Sequence, residues 1–231
     1  MKNANILLYE DIAGYPPLYR YVEAAIKRLD LPYVDVGDAQ GWLKDRLLRG
    51  TDDGKAWDLV IIAAENRDAI QGEYFETLEK ILDQGDTAVI MESWYLDAIA
   101  EGTAKPILMK CGVDVYPYPP GSRSPQELII FPVDRNHPIL NNPIPITEFK
   151  IADYWSYEDM GSLMYPNGKG DAEFILVRDD QKPAENGLLA ICMDQHLLLM
   201  TISTHNYMDE SVVPLWMNMI DFILRSHFTG S

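Results

Sequence analysis

Short apolar runs alternate with helical segments through the first half of the chain, and this alternation restricts the possible folds more than any other feature. Strands are predicted over Asn5–Tyr9, Pro32–Val36, Trp57–Ala63 and Thr87–Met91. Helices are predicted over Leu18–Leu29, Ala39–Leu48, Tyr74–Leu82 and Trp94–Ala100. The third strand is continuously apolar, which indicates burial on both faces. The order therefore predicts an α/β fold with a mostly parallel central sheet and helices on both faces.

The proline-rich stretch Tyr116–Pro125 marks a change of architecture, because proline removes backbone donors and restricts its neighbours. Beyond it we predict a C-terminal β-rich extension with strands over Glu127–Phe131, Phe174–Val177, Leu188–Met193 and Leu197–Ser203. Residues 194–196 predict a tight hairpin turn, and Val212–Leu224 predicts a closing amphipathic helix. A chain of 231 residues is long enough for one large domain, so a single domain over residues 1–231 is expected.

The charge of the chain disfavours two classes of partner. Its formal net charge of −17 at pH 7 repels phosphate backbones and anionic lipid headgroups, so we expect neither nucleic acid nor a membrane as a partner. No apolar run approaches the roughly 20 residues of a membrane span. The first residues do not resemble a signal peptide, and a cytoplasmic location is therefore expected.

Cofactor and cysteine chemistry are not expected either. The sequence has no Walker lysine motif, no GxGxxG after the first strand and no HExxH helix, so no cofactor is predicted. Its two cysteines, Cys111 and Cys192, lie in apolar stretches. We predict that both are small core residues that form neither a disulfide nor a metal site.

Carboxylates stand at the ends of three predicted strands. Glu10 follows the first strand, Glu65 the third and Glu92 the fourth. Open parallel sheets bind ligands beyond the carboxyl ends of their strands, and these strands are neighbours in a flavodoxin-like order. We therefore predict that the three carboxylates line one ligand-binding crevice that holds no metal. Two alternatives stay open: the carboxylates cap helices or pair with Arg20 or Arg67, or they hold a hard cation such as Ca²⁺ or Mg²⁺.

Ser93 and His205 form a candidate catalytic pair. Ser93 lies where the fourth strand turns into a helix, the position at which several α/β enzymes carry a nucleophile, and His205 follows an apolar strand. Glu210 or Asp209 is the candidate acid that orients the histidine. The alternatives are a helix N-cap for Ser93 and a structural hydrogen bond for His205. Trp94 is a candidate ligand contact, because aromatic rings beside carboxylates suit polyhydroxylated ligands.

The chain resembles the class I glutamine amidotransferase-like superfamily, in particular its trehalose-utilisation-like and glycosidase-associated branches. The resemblance lies in the order of three segments and the closing helix. The segments are AVIMESW, DRNHPIL and LLAICMDQHLLLMTISTH, and the helix is VVPLWMNMIDFIL. Active members carry a cysteine after the fourth strand and, later, a histidine followed by an acid. In this sequence, the cysteine position matches Ser93 or Glu92. The histidine position matches His205, and the acid matches Glu210 or Asp209. Because serine is far harder to ionise than a thiol, the resemblance implies a member without amidotransferase activity.

Three functions remain open, and whether the protein is an enzyme is left undecided. The leading hypothesis is a non-catalytic amidotransferase-like domain that binds a small polar ligand, with carbohydrates as a candidate class. The second is a hydrolase that uses Ser93 and His205. The third is a structural or homo-oligomerising domain with a vestigial crevice.

Overall fold

Most of the predicted elements fall within the described part of the chain. The computed structural model describes residues 1–12, 19–64, 74–93, 96, 102–116, 130–147, 162–178, 180–202, 204–205 and 212–230. Within these residues the strands form one ten-stranded sheet.

Five strands form the parallel half of the sheet. Numbered along the chain, they are β1 (Ile6–Asp11), β2 (Val34–Asp35), β3 (Leu59–Ala64), β4 (Ala88–Ser93) and β10 (Leu197–Met200). They lie in the order β2-β1-β3-β4-β10, and each strand runs parallel to its neighbours. Every residue of β1, β3 and β4 is buried, because helices cover both faces of these strands.

The other five strands form an antiparallel extension beyond β10. They are β5 (Val113–Tyr116), β6 (Phe131–Pro132), β7 (Leu163–Pro166), β8 (Glu173–Val177) and β9 (Gly187–Cys192). β9 pairs with β10 through the predicted hairpin, whose residues 193–195 all have left-handed φ angles, of 55°, 51° and 65°. The predicted fold class, a mostly parallel central sheet with a β-rich extension, is confirmed.

Helices lie on both faces of the sheet. They are α1 (Tyr21–Arg28), α2 (Gln40–Arg49), α3 (Tyr74–Gln84), α4 (Lys105–Cys111), α5 (Pro138–Asn141) and α6 (Val212–Thr229). Buried side chains of α1 and α6 pack on the face that carries Leu8, Ile61 and Ile90. Those of α2, α3 and α4 pack on the face that carries Val60 and Val89. None of the helices within the described residues has the length and apolar character needed to cross a lipid bilayer.

The strands of the parallel half match the predicted ones, with shifted ends. β4 was predicted to end at Met91 but continues to Ser93, because Glu92 and Ser93 pair with Ala63 and Ala64 of β3. The short elements α4, β5, α5 and β7 were not predicted, since so few residues give no clear periodicity. The helix predicted over 94–100 lies outside the described residues apart from Leu96. A single domain over residues 1–231 stays a prediction.

The two cysteines form a disulfide, and the prediction that they do not pair was wrong. Cys111 ends α4 and Cys192 ends β9, with a sulfur–sulfur distance of 2.08 Å and a sequence separation of 81 residues. Both are buried, as expected of core residues. Their pairing depends on the fold that brings α4 beside β9, which the spacing of the cysteines does not reveal.

Candidate functional site

Glu10 and Glu92 lie in one row across the carboxyl edge of the parallel strands. Glu10 in β1 is the register partner of Ala63 in β3, and Ala63 is the partner of Glu92 in β4. Residues in register point to the same face of the sheet, and Ala63 belongs to the core on the α1 and α6 side. Two strand spacings, about 10 Å, separate the backbones of the two glutamates. The small side chain of Ala63 leaves room between them.

The imidazole of His205 lies between these two carboxylates. Its Nε2 is 3.0 Å from Glu10 Oε1, and its Nδ1 is 3.3 Å from Glu92 Oε2. All three side chains are buried. The structure thus brings Glu10 and Glu92, two of the carboxylates predicted to line the crevice, together with His205. The predicted roles of these residues in catalysis and ligand binding stay predictions.

The Glu10 carboxylate is engaged on both oxygens. Oε1 accepts a hydrogen bond from the backbone N–H of Val22 at 2.9 Å, and Oε2 accepts from the N–H of Glu23 at 3.1 Å. These are first-turn amides of α1, so Glu10 caps that helix from the neighbouring strand. Arg20 Nε donates to Oε2 at 3.2 Å. The alternative in which Glu10 caps a helix and pairs with Arg20 is thus the one that the structure contains.

Arg20 connects Glu10 to the surface. Its Nη1 and Nη2 donate to the two carboxylate oxygens of Asp35 at 2.6 Å and 2.9 Å. The hydrogen bond to Asp35, together with the charge of Glu10, raises the pKa of the Arg20 guanidinium. Arg20 therefore stays charged and balances part of the negative charge of Glu10.

Glu92 is held by the segment that leads into α6. Its Oε1 accepts hydrogen bonds from the backbone N–H of Thr204 at 2.7 Å and from the Thr204 hydroxyl at 2.6 Å. Trp216 Nε1 donates to that hydroxyl at 3.0 Å. These contacts were not predicted, because Glu92 and Thr204 are 112 residues apart and no motif links them.

The two contacts of the His205 ring differ in kind. The contact between Nε2 and Glu10 Oε1 has hydrogen-bond geometry, with the donor set by the tautomer of the ring. The contact between Nδ1 and Glu92 Oε2 lies within ion-pair distance but does not have hydrogen-bond geometry. Together they place the ring between the two carboxylates on one face of the sheet.

Asp11 and Ser93 occupy the next row, on the opposite face. Both are register partners of Ala64, which belongs to the core on the α2, α3 and α4 side. Ser93 and His205 therefore lie on opposite faces of the sheet, and the predicted Ser93–His205 pair is not formed. Ser93 is 2% exposed, and its hydroxyl has no hydrogen-bond partner in the described structure. The alternative of a side-chain N-cap at Ser93 stays a prediction, because the helix that it would cap lies outside the described residues.

Two buried phenols surround Asp11. The hydroxyl of Tyr9 donates to Asp11 Oδ2 at 3.3 Å. Burial raises the pKa of Tyr9 and the pKa of Tyr74, and the negative charge of Asp11 adds to both increases. Both phenols therefore remain neutral well above physiological pH.

Three predicted site residues are not among those that the structure describes. Glu65, Trp94 and Glu210 lie outside the described residues, as does Asp209. Their suggested roles at the crevice remain predictions from the sequence.

Several solved structures match nearly the whole chain. A protein from Thermoplasma acidophilum assigned as a GMP synthase subunit superposes with a TM-score of 0.58 at 11% identity, over 98% of this chain and 96% of that one. A glutamine amidotransferase from Thermotoga maritima gives a TM-score of 0.56 at 9% identity, over 97% and 99%. The chain has the glutamine amidotransferase-like fold.

A third solved structure has a weaker similarity to this chain, and sequence comparisons find no relative. A ThuA-like protein from Parabacteroides merdae matches with a TM-score of 0.49 at 10% identity, over 97% of this chain and 90% of that one. No protein-family model matches the sequence, and no curated protein is found as a relative. At these identities the likeness concerns the fold alone.

Proposed function

We propose that this chain is an amidotransferase-like domain that has no amidotransferase activity and binds a small polar ligand at the carboxyl edge of its parallel strands. The observation that carries the proposal is the position of His205. Both of its ring nitrogens face carboxylates, Glu10 and Glu92, on the face of the sheet opposite Ser93. Ser93, on the other face, therefore does not have His205 as the base that a serine nucleophile needs for activation.

The cysteines give separate support. A thiolate is the nucleophile that the resemblance to active amidotransferases requires, and both cysteines of the sequence are bonded to each other. Cys192 is in register with Leu197 of β10, which pairs with Val89 near the start of β4. The disulfide therefore lies toward the amino end of the strands, about four residues along β4 from Ser93.

A glutaminase assay tests the absence of amidotransferase activity. Glutamate released from glutamine is expected to match the enzyme-free blank for the wild-type protein. Ser93→Cys supplies a thiol at the turn and is expected to stay inactive, because His205 remains between the two glutamates. Glutamate release by the wild type that Ser93→Ala abolishes would contradict the proposal.

A ligand screen tests the binding function. Thermal shift and titration calorimetry against monosaccharides, disaccharides, polyols, amino acids and small amines are expected to reveal saturable binding of at least one class. Trp94→Ala and Glu65→Gln probe the two predicted ligand contacts. Trp42→Ala is a matched control, since Trp42 lies on α2 with 69% of its surface exposed. Binding that is unchanged in all three variants would exclude these two residues from the site.

The two rival functions have their own tests. A serine-reactive probe is expected to leave Ser93 unlabelled, because the hydroxyl is buried and has no adjacent imidazole. Labelling that disappears in Ser93→Ala would favour the hydrolase. Homo-oligomerisation stays a prediction, and the molar mass in solution measures it directly.

A further inference from the structure

The disulfide joins two parts of the extension that share little backbone pairing. Within the described residues, β5 and β7 pair with each other at four register positions, from Val113 to Tyr116. β7 meets β9 at a single position, Met164 with Gly187, whereas β8 and β10 each pair with β9 at four positions. We call α4, β5 and β7 (residues 105–116 and 163–166) the α4–β5–β7 unit. Few ladder hydrogen bonds therefore attach this unit to β9.

Apolar packing and exposed polar contacts supply further attachment. Val113 and Met164 are buried in the core on the α2, α3 and α4 side. Lys110 Nζ donates to Glu79 of α3 at 2.7 Å and to Asp83 at 2.6 Å. The Lys110 side chain is 34% exposed, and ion pairs in contact with water contribute little to stability. A unit attached in this way can part from its neighbours by local opening, without unfolding of the whole chain.

The disulfide opposes such an opening directly. Cys111 is the last residue of α4, within the unit, and Cys192 is the last residue of β9, outside it. While the bond is intact, these two residues cannot move apart. Reduction removes this restraint but keeps both sulfur atoms, so the apolar packing around them loses no group. The state of the bond therefore controls how far the unit can separate from β9.

A surface groove of about 550 Å³ lies beside the bond. It is lined by Lys110, which precedes Cys111, and by Met193, which follows Cys192. Both cysteines are at most 1% exposed, so a thiol reaches their sulfur atoms only when the structure opens locally. The groove marks the place where a small opening gives a reductant access to the bond.

We propose that the Cys111–Cys192 disulfide is a redox-sensitive lock, which holds the α4–β5–β7 unit against β9 and whose reduction lets the unit open while the parallel half stays folded. The reductant is a dithiol. Its thiolate attacks one sulfur, the S–S bond breaks, and a mixed disulfide forms while the other cysteine leaves as a thiolate. The second thiol of the reductant then displaces the first cysteine. The two cysteines gain two electrons and two protons, and the dithiol becomes a disulfide. This inference goes beyond the proposed ligand binding and does not depend on it.

Hydrogen exchange, measured by mass spectrometry on the oxidised and the reduced wild type, tests the proposal. Dithiothreitol reduces the native protein, and alkylation confirms that both cysteines are free. Amides of α4, β5 and β7 are expected to exchange at least about tenfold faster after reduction. Amides of β1, β3 and β4 are expected to change by less than about twofold, because these strands pair with one another and not with the unit.

The double variant Cys111→Ala/Cys192→Ala is the matched control for the reductant. It is expected to exchange like the reduced wild type, both with and without dithiothreitol. The oxidised and the reduced wild type differ only in the bond and two hydrogen atoms. Their comparison therefore remains decisive even when the double variant fails to fold.

The rate of reduction gives a second measurement. Dithiothreitol is expected to reduce the native protein at least about tenfold faster than the chain unfolds globally, with the unfolding rate extrapolated from urea kinetics. Reduction that proceeds only at the rate of global unfolding overturns the inference. Unchanged exchange of the unit after complete reduction overturns it as well, and so does an equal increase in β1, β3 and β4.

Discussion

His205 is the residue whose environment decides most about this protein. A buried imidazole between two buried carboxylates is a network of ionisable groups in a low-dielectric environment, so each member depends on the others. Glu10 is further fixed by amides of α1, and Glu92 by Thr204. The network therefore joins β1, β4 and the segment before α6 at a single point.

Removal of the ring is expected to destabilise the fold strongly. His205→Leu leaves Glu10 and Glu92 buried without the group between them, and we expect a loss of about 3–5 kcal/mol in the free energy of unfolding. His196→Leu, in the hairpin turn, is the control and is expected to cost about 1 kcal/mol or less. Urea unfolding measures both. Adding Glu92→Gln to His205→Leu should recover part of the loss, and strict additivity of the two changes would contradict the coupling.

His137 is expected to make stability depend on pH. Its Nδ1 accepts a hydrogen bond from the N–H of Ile139 at the start of α5, and burial lowers the pKa of the ring below its ordinary value of 6.5. The unfolded chain therefore binds the proton more readily than the folded one. This contribution to stability is complete above pH 6.5 and is lost as the pH falls through the lower folded value.

His137→Asn separates this titration from the capping hydrogen bond. Asparagine is a good N-cap but does not titrate, so the variant should keep its stability near neutral pH and lose less of it on mild acidification. Chemical unfolding at several pH values between about 5 and 7.5 measures the difference. Parallel pH profiles for the wild type and the variant would exclude His137 as the source.

At the scale of elements, α4 and the turn after β7 are in direct backbone contact. Gly112 follows α4 with φ of 86°, and an added Cβ there would lie 2.5 Å from the backbone nitrogen of Gly170. An added Cβ on Gly170 would lie 2.5 Å from the carbonyl oxygen of Lys110. This close approach holds the end of α4, and with it Cys111, against the extension.

Gly170→Ala is expected to force these backbones apart. Because the colliding atoms belong to the main chain, they cannot move aside cheaply, and we expect a loss of about 1–3 kcal/mol in the free energy of unfolding. Gly41→Ala is the control, because a Cβ there meets nothing within 4 Å in α2. That change is expected to be neutral or to stabilise the protein by up to about 1 kcal/mol. A similar effect of both changes in urea unfolding would contradict the contact.

At the scale of the whole molecule, the disulfide ties the antiparallel extension to α4 across 81 residues of sequence. A cross-link over so long a loop restricts the unfolded chain, and such links typically contribute about 2–4 kcal/mol. The double variant Cys111→Ala/Cys192→Ala is expected to lower the free energy of unfolding by about 2–4 kcal/mol. Thiol titration of the wild type in denaturant without reductant should detect no free thiol. Two thiols per chain in that assay would contradict the bond.

The sequence alone determined the architecture of the parallel half. An apolar run such as 57–63 is buried fully only when both faces of its strand are covered. The helical segments between the apolar runs supply that cover. The same logic placed Glu10 and Glu92 at the carboxyl ends of the first and fourth strands, where the structure has them. These inferences succeed because periodicity and strand order act through near neighbours in the chain.

Tertiary structure alone decided which partners these residues take. β4 continues for two residues beyond its predicted end. Because side chains alternate along a strand, this continuation places Ser93 on the face of the sheet opposite His205. The bond between Cys111 and Cys192, and the contacts of Thr204 with Glu92, join residues separated by 81 and 112 positions. No local pattern carries such pairings, since they arise only when packing brings distant segments to within a few ångströms of each other.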